Sequence, residues 1–595
     1  MLARLARTMR RDENGIALVM VIGVGSVLAL LVVTAIAIGL GSARSSRNDQ
    51  DWNGALAAAY AGVEEYQSRL AADPSYLNYG NATSAFTPDT GSVLPTGTRT
   101  NPAFGVGAAQ TWAAVPGSDG SASYRYEVDA SAFNTTGSLR LRSTGRVGTE
   151  TRTVVATLRI NSFLDYLYFT DFEVEDPAQY SSAALPSCAT YAYASRPASC
   201  HDIAFGSNDV LEGPVHSNDT IRSCSAVFKG AVTTGYAVAS GLPYKEVTSG
   251  GSTGCSPRTT FEQAGSPSTV TRVVMPATNA ALKLETRTDL SVTPGCLYTG
   301  PTTIRFHSNG QVTVRSPWTR ATRVSGDPAT SGTAPAVCGT VGSGPGGLAS
   351  PGGATFTVPA NNVMYVQDVP ASVTDPNYPE GGRNPVISAS GARLSCTSAD
   401  GTADGNGIGY PMAGEDAPSA SSYLCNAGDA FVEGMMRGSV TVATSRYIYV
   451  TSNLSYASST RDMLGLVGDG GVLVWNPVDR SNNSVLPSGI RTNRTIDAAI
   501  LSVQHTFQVQ NPYVGGDRGT LTINGAIAQK FRGIVRHTVT TDGNTRANGY
   551  AKDYNYDTRF ATRTPPKFLM PVSTTYDVTL MAEVTAAFTS TGQNG

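Results

Sequence analysis

Apolar and polar positions divide the chain into a helical head and a long strand-rich body. An uncharged run from Ile16 to Gly41, IALVMVIGVGSVLALLVVTAIAIGLG, follows the basic leader MLARLARTMRRDENG without a spacer. No Pro occurs before Pro74, so the helical period carries on into SARSSRNDQDWNGALAAAYAGVEEYQSRLAA. At about 1.5 Å per residue the apolar run alone outreaches the ~30 Å hydrocarbon core of a bilayer. Beyond it, Leu56, Tyr60, Val63, Tyr66 or Gln67, and Leu70 recur at 3–4 spacing and predict a core-facing stripe, with Glu64, Glu65, Gln67 and Arg69 turned outward.

Residues 73–118, rich in Pro, Gly, Thr and Asn, read as loop. Period-two alternation then marks strands at Ser123–Val128, Ser138–Ser143 and Thr151–Ile160, with Gly145 and Gly148 between the last two. These predict a small antiparallel sheet for the helix to pack on. Past Phe163-Leu164-Asp165-Tyr166 the chain becomes a series of short apolar runs between Gly, Asn, Asp and Ser. They include Val210–Leu211, Phe228–Val232, Ser439–Val442, Tyr447–Val450, Leu464–Val467, Val472–Trp475, Ala498–Val503, Thr520–Gly525 and Ala528–Val535. Such runs build a sandwich or a solenoid. With no Asn-Gly hairpins among them, a parallel β-solenoid is expected around 430–535, although no fixed repeat length is visible. Segments 236–302, 316–362 and 369–428 read as insertions between its turns.

The fold class expected is therefore α+β: a long N-terminal helix with a small antiparallel sheet, then a large all-β domain with disulfide-bonded insertions. The segments are a leader over 1–15, a transmembrane and amphipathic helix over 16–72, a small sheet over 73–161, the β domain over 162–548, and a Tyr-rich tail over 549–595 packing on that domain.

Composition sharpens this in three ways. Only 15% of residues are charged, and Gly and Pro number 63 and 33, which favours turn-rich β structure. The net charge of −2 gives no polyanion footprint, so nucleic acid is not an expected partner. The eight cysteines, Cys188, Cys200, Cys224, Cys255, Cys296, Cys338, Cys396 and Cys425, all follow the apolar run and show no close metal-ligand spacing. If that run crosses a membrane, Arg4, Arg7, Arg10 and Arg11 keep the leader in the cytoplasm and the cysteines are exported to an oxidising space, where an even count predicts disulfides. Sequential pairing closes the shortest loops, among 105 connectivities.

Catalytic chemistry is hard to find. No HExxH, GxSxG, P-loop or strand-following GxGxxG is present. His201-Asp202 with His216 and Asp219 is a loose acid–base or metal grouping that reads better as polar turn caps, and His307 repeats the His-Ser-Asn tripeptide of His216. Asp202, Asp209, Glu212 and Asp219 are the nearest approach to a clustered carboxylate face, with no spacing that selects a pair. Thr541-Asp542-Gly543-Asn544-Thr545 lacks the further acids of a calcium loop and reads as a turn. No cofactor and no metal are expected.

The N-terminus resembles a known family. A charged leader ending in Gly15, an apolar helix beginning at Ile16, and a small-residue amphipathic continuation are the pattern of type IV prepilins. Gly15-Ile16-Ala17-Leu18-Val19-Met20-Val21 and Ala55-Leu56-Ala57-Ala58-Ala59-Tyr60-Ala61-Gly62-Val63-Glu64-Glu65 are similar to stretches of PilX-type minor pilins. The string "STGRVGTETRTVVATL" resembles a hairpin of minor pilins and pseudopilins, and "KDYxYDxR" with "PPxF" resembles tails of large pilus-assembly-associated envelope proteins. The resemblance implies cleavage between Gly15 and Ile16 by prepilin peptidase, N-terminal methylation, residence in the cytoplasmic membrane as a single pass with the C-terminal domain outside, and then passage to an extracellular pilus. It implies other pilin subunits as partners through the helix, with a surface or glycan ligand for the β domain.

One position departs from the family. Major pilins carry Glu at the fifth mature position, which here is Met20. A buried N-terminal ammonium without that carboxylate is costly, so a low-copy, tip or priming subunit is expected. The competing readings are a type II secretion tip pseudopilin, a membrane-anchored β-solenoid carbohydrate enzyme, a plain signal-anchored envelope protein, and a chain cut by signal peptidase near Gly41–Ala43.

Overall fold

The computed structural model describes residues 13–594, apart from 89–91, 98–99, 107–110, 134–137, 161, 181, 208, 250, 291–292, 418–422, 542–543 and 573–575. The leader up to residue 12, with its four arginines, and the centre of the Thr541–Thr545 turn therefore lie outside the described residues. Two compact units result: one from the described parts of Met1–Ser131, Ser138–Arg159 and Thr574–Gly595, the other from Ala132–Gly137 and Ile160–Ser573.

In the first unit one α-helix, Glu13–Ala72, runs unbroken for 60 residues. Its second half beds on a five-stranded sheet in the order Ala113–Ala114, Ala122–Asp129, Ser138–Val147, Glu150–Ile160, Tyr576–Val584. The middle pairings are antiparallel, with Tyr126 opposite Ser143 and Ser143 opposite Val154. The buried face of the helix is Ala55, Ala58, Ala59, Val63, Tyr66 and Leu70. Val63, Tyr66 and Leu70 belong to the predicted stripe, but Leu56 is only half-buried and Tyr60 is exposed. Small residues take their place because the sheet comes too close for large ones. A Cβ on Gly145 would overlap the Ala55 carbonyl and the Ala59 amide, and one on Gly62 would strike the Ser143 hydroxyl. Glu65, expected to face solvent, is tied inward: Tyr126 Oη donates to its Oε2 at 3.0 Å, and Arg69 pairs with its Oε1.

The second unit is organised by parallel pairing. One ladder runs through Cys296–Thr299, Asn362–Gln367, Ser439–Thr444, Met463–Gly468, Arg494–Val509, Asp517–Phe531, Tyr168–Phe172, Val215–Ser217, Val232–Thr234 and Ser268–Thr269, every pairing parallel. A second joins Thr302–Phe306, Ala430–Met436, Tyr447–Tyr456, Gly471–Val474 and the end of Arg494–Val509. A third links Arg494–Val509, Asp517–Phe531, Asn544–Tyr556, Val210–Glu212, Val227–Phe228 and Thr260–Phe261.

Because pairing is in register, one side chain stacks on the next. Cys296, Met364, Val442, Leu466, Ile500, Ile527, Tyr168, Val215 and Val232 form one continuous inward row and are all buried in a single core. Parallel strands covered on both faces need such apolar continuity. The chain does not climb this ladder in sequence order. Tyr168–Phe172, near the start of the unit, lies beside the strand ending at Phe531.

Two expected boundaries shift. Residues 296–302, placed in an insertion, are ladder strand at Cys296–Thr299. The segment 549–595, read as one tail, divides between Asn544–Tyr556, which sits within a ladder, and Tyr576–Val584, which lies beside Glu150–Ile160 in the other unit. A hairpin does occur among the parallel strands, between Arg536–Thr541 and Asn544–Tyr556. Thr541 and Asn544 pair at its closing end.

The cysteines pair in sequence order as Cys188–Cys200, Cys224–Cys255, Cys296–Cys338 and Cys396–Cys425. The last closes a loop between Gln367 and Ala430 that has few regular elements of its own.

Candidate assembly helix and a charge-lined cleft

Among the described residues, nothing packs on the first half of the long helix. Leu18, Met20, Leu30, Val33 and Ile38 are 62–71% exposed, and a Cβ added at Gly23, Gly25, Gly39 or Gly41 would meet nothing within 4 Å among the described residues. Such a surface is unstable in water, since each large aliphatic side chain left exposed forgoes roughly 1.5–3 kcal/mol of burial. The helix is long and apolar enough to cross a membrane. Its few polar groups suit that setting: the Thr34 hydroxyl donates back to the Leu30 carbonyl within the helix. Gly15 and Ile16 lie in the helical backbone near its start. Met20 is 67% exposed on the same apolar surface.

The histidines and acids singled out in the sequence are brought into one region but not into one centre. His216 is a ladder residue, in register between Phe169 and Thr233. Its ring stacks on Phe169 at 5.4 Å, bonds Thr233 Oγ1 at 2.8 Å and Asn218 Oδ1 at 2.9 Å, and is held neutral because burial lowers its pKa to about 4. Asp219 and Asp202 both bind the Arg196 guanidinium, and Asp202 also meets Arg222. His201 Nδ1 meets Glu175 Oε2 at 2.9 Å, and Glu212 pairs with Lys229. His307 Nε2 bonds Thr313 Oγ1 at 2.8 Å across a strand pair. Among the described residues no group of three or more His, Cys, Asp or Glu could hold a metal ion.

Sequence reasoning named Asp209 and His201 in this region but missed Glu173, Arg532 and Lys552. A cleft of about 720 Å³ is lined by His201, Asp209, Tyr513, Arg532, His537 and Lys552, among others. Arg532 forms its buried wall: Nη1 donates to Glu173 Oε2 at 2.8 Å, and the guanidinium lies over the Phe205 ring at 3.5 Å. Burial alone would lower its pKa, but Glu173, Tyr168 and Asp209 hold it above the ordinary value. Asp209 receives Lys552 Nζ at 2.8 Å and lies 4.0 Å from Arg532 Nη2. Burial would raise the Asp209 carboxyl, and the two cations keep it lowered and ionised. The one signal in the sequence was Lys530-Phe531-Arg532, two charges inside an otherwise strand-like run.

No protein-family model matches the chain, and no curated protein matches it. Among solved structures it is similar to the crystal structure of competence-associated pilin ComZ from Thermus thermophilus. Identity is 12%, coverage is 90% of this chain and 97% of that chain, and the TM-score is 0.23. So loose a superposition carries no argument about the role of this chain, which rests on its own residues.

Proposed function

We propose that the protein is a low-copy subunit of a type IV pilus, of the minor, tip or priming kind, cut between Gly15 and Ile16. One observation carries this reading: a single rigid helix is bare and apolar over its first half and bedded on a small sheet over its second. An apolar rod of this kind leaves lipid only for an equally apolar surrounding, such as packed helices of neighbouring subunits, so transfer from membrane to filament never exposes it to water. The second unit, parallel-stranded and disulfide-bonded, is then carried outward on it. We read its in-register ladders as coils of a β-solenoid, a reading supported by the uninterrupted row from Cys296 to Val232. Met20 in place of a carboxylate supports the low-copy role.

N-terminal sequencing of the mature protein tests the proposal. A start at Ile16, N-methylated, is expected, and Gly15→Leu should leave the leader attached. A mature start at Met1 or Arg44 would overturn it.

A further inference from the structure

We propose that the cleft over Arg532 binds a neutral saccharide through ring stacking and paired hydrogen bonds. It deepens the display role above.

Two features of the cleft point to a ligand. Arg532 and His537 both line the cleft; Arg532 is 1% exposed, yet its Nη2, 4.0 Å from Asp209 Oδ2, makes no hydrogen bond, and neither does Nδ1 of His537. Buried donors and acceptors are ordinarily satisfied, and leaving one unmade costs roughly 1–3 kcal/mol. The second feature is the exposed ring surface at the mouth. Tyr513 is 43% exposed and stands edge-on to His537 at 4.8 Å, while the His201 side chain is 57% exposed and stacks on Tyr180 at 4.2 Å. Tyr513 is itself fixed, since its hydroxyl donates to Glu175.

Charge selects the ligand class. Each cation at the wall already faces a carboxylate: Arg532 faces Glu173, Lys552 faces Asp209, and Arg536 faces Asp517. An incoming anion would meet Asp209 and Glu175 as well as Arg532, and a cation would meet Lys552 and Arg532. Neutral hydroxyls, which both donate and accept, fit the alternating set. The apolar face of a pyranose ring fits the exposed rings, and the volume falls in the roughly 300–1,000 Å³ range of small-ligand sites.

The test uses the full chain in phosphatidylcholine nanodiscs, which contain no sugar, and does not depend on pilus assembly. A failure here would leave the assembly reading standing, and correct processing at Gly15 would not rescue this one. Saturation-transfer NMR and titration would be run with glucose, galactose, mannose and N-acetylglucosamine, and with glucuronic acid as the anionic probe. At least one neutral sugar should bind. His201→Ala and Tyr513→Ala should each weaken it about tenfold or more without lowering the melting temperature, whereas Tyr513→Phe, which keeps the ring, should retain most of the binding. Tyr193→Ala, an exposed ring outside the cleft, should bind as the parent does. The proposal fails if no neutral sugar binds, if glucuronic acid binds as well or better, or if both His201→Ala and Tyr513→Ala bind like the parent. If Tyr513→Ala does not fold, His201→Ala and Tyr513→Phe decide.

Discussion

Asp429 is buried beneath the ladders with its Oδ1 accepting the Tyr447 amide at 3.1 Å, and burial pushes its carboxyl up to about 7. Glu415, bound by Tyr423 Oη at 2.6 Å and the Met412 amide at 2.8 Å, is raised to about 7 for the same reason. Both folded-state values lie above those of an unfolded chain. Between about pH 4 and pH 7 the folded protein therefore keeps protons that the unfolded chain has released, and stability falls as pH rises through that window. Asp429→Asn keeps the acceptor for Tyr447 and removes the ionisation. It should flatten the decline and stabilise the protein at pH 8 by on the order of 2 kcal/mol, read from denaturant melts between pH 5 and pH 8. The opposite result is expected at Glu173. Its partner Arg532 is 359 residues away in sequence, and Glu173→Gln would strip a buried guanidinium of its main counter-charge. A loss of about 3 kcal/mol is expected in the same melts, partly relieved by Asp209. No local pattern marks Glu173 and Arg532 as partners. Charges in a strand-like run, as at Lys530 and Arg532, signal that something must answer them, without saying what.

At the scale of elements, the helix and the small sheet were legible from period alone, whereas the helix's contact face was not. Hydrophobic size pointed to Leu56 and Tyr60, and the close approach at Gly145 selected Ala55, Ala58 and Ala59 instead. Gly145→Val should therefore separate helix from sheet and cost about 3 kcal/mol or more, seen as early loss of amide protection in residues 55–70 by hydrogen exchange. In the ladders the stacked row makes each member dependent on two neighbours. Leu466 lies between Val442 and Ile500, and Leu466→Ala should cost roughly 2–5 kcal/mol in denaturant unfolding. The Cys396–Cys425 bridge secures an insertion, not a rung. Changing both cysteines to Ser should open residues 397–424 to limited proteolysis while the ladder strands stay protected.

At the scale of the molecule, the proposed function gives the bare helix and the large second unit separable duties. On that reading, Met20→Glu would supply the carboxylate that the fifth mature position lacks. If subunit copy number is set there, the variant should be recovered in sheared filaments at higher stoichiometry than the parent, by quantitative mass spectrometry. The second unit enters at Ile160 and leaves at Ser573, and its early strand Tyr168–Phe172 pairs with the late strand ending at Phe531. In that ladder the strands after residue 290 thus lie on one side of that pair and those before it on the other, which lets a long unit sit as an insertion within the sequence of a small one.

The sequence by itself determined the elements whose physics is local. Uncharged length made the apolar helix, period-two alternation made the small sheet, and short apolar runs between turn residues made a strand-rich body. The sequence left 105 disulfide connectivities open, and the structure selects the sequential one, which closes the shortest loops. Only the tertiary structure decided that Tyr168–Phe172 lies beside Phe531, that Tyr576–Val584 lies beside Glu150–Ile160, and that Arg532 faces Glu173. Those contacts join residues hundreds of positions apart. Their energy comes from stacking and charge pairing that no window of the chain contains, and the cleft walled by Arg532 existed nowhere in the sequence as a motif.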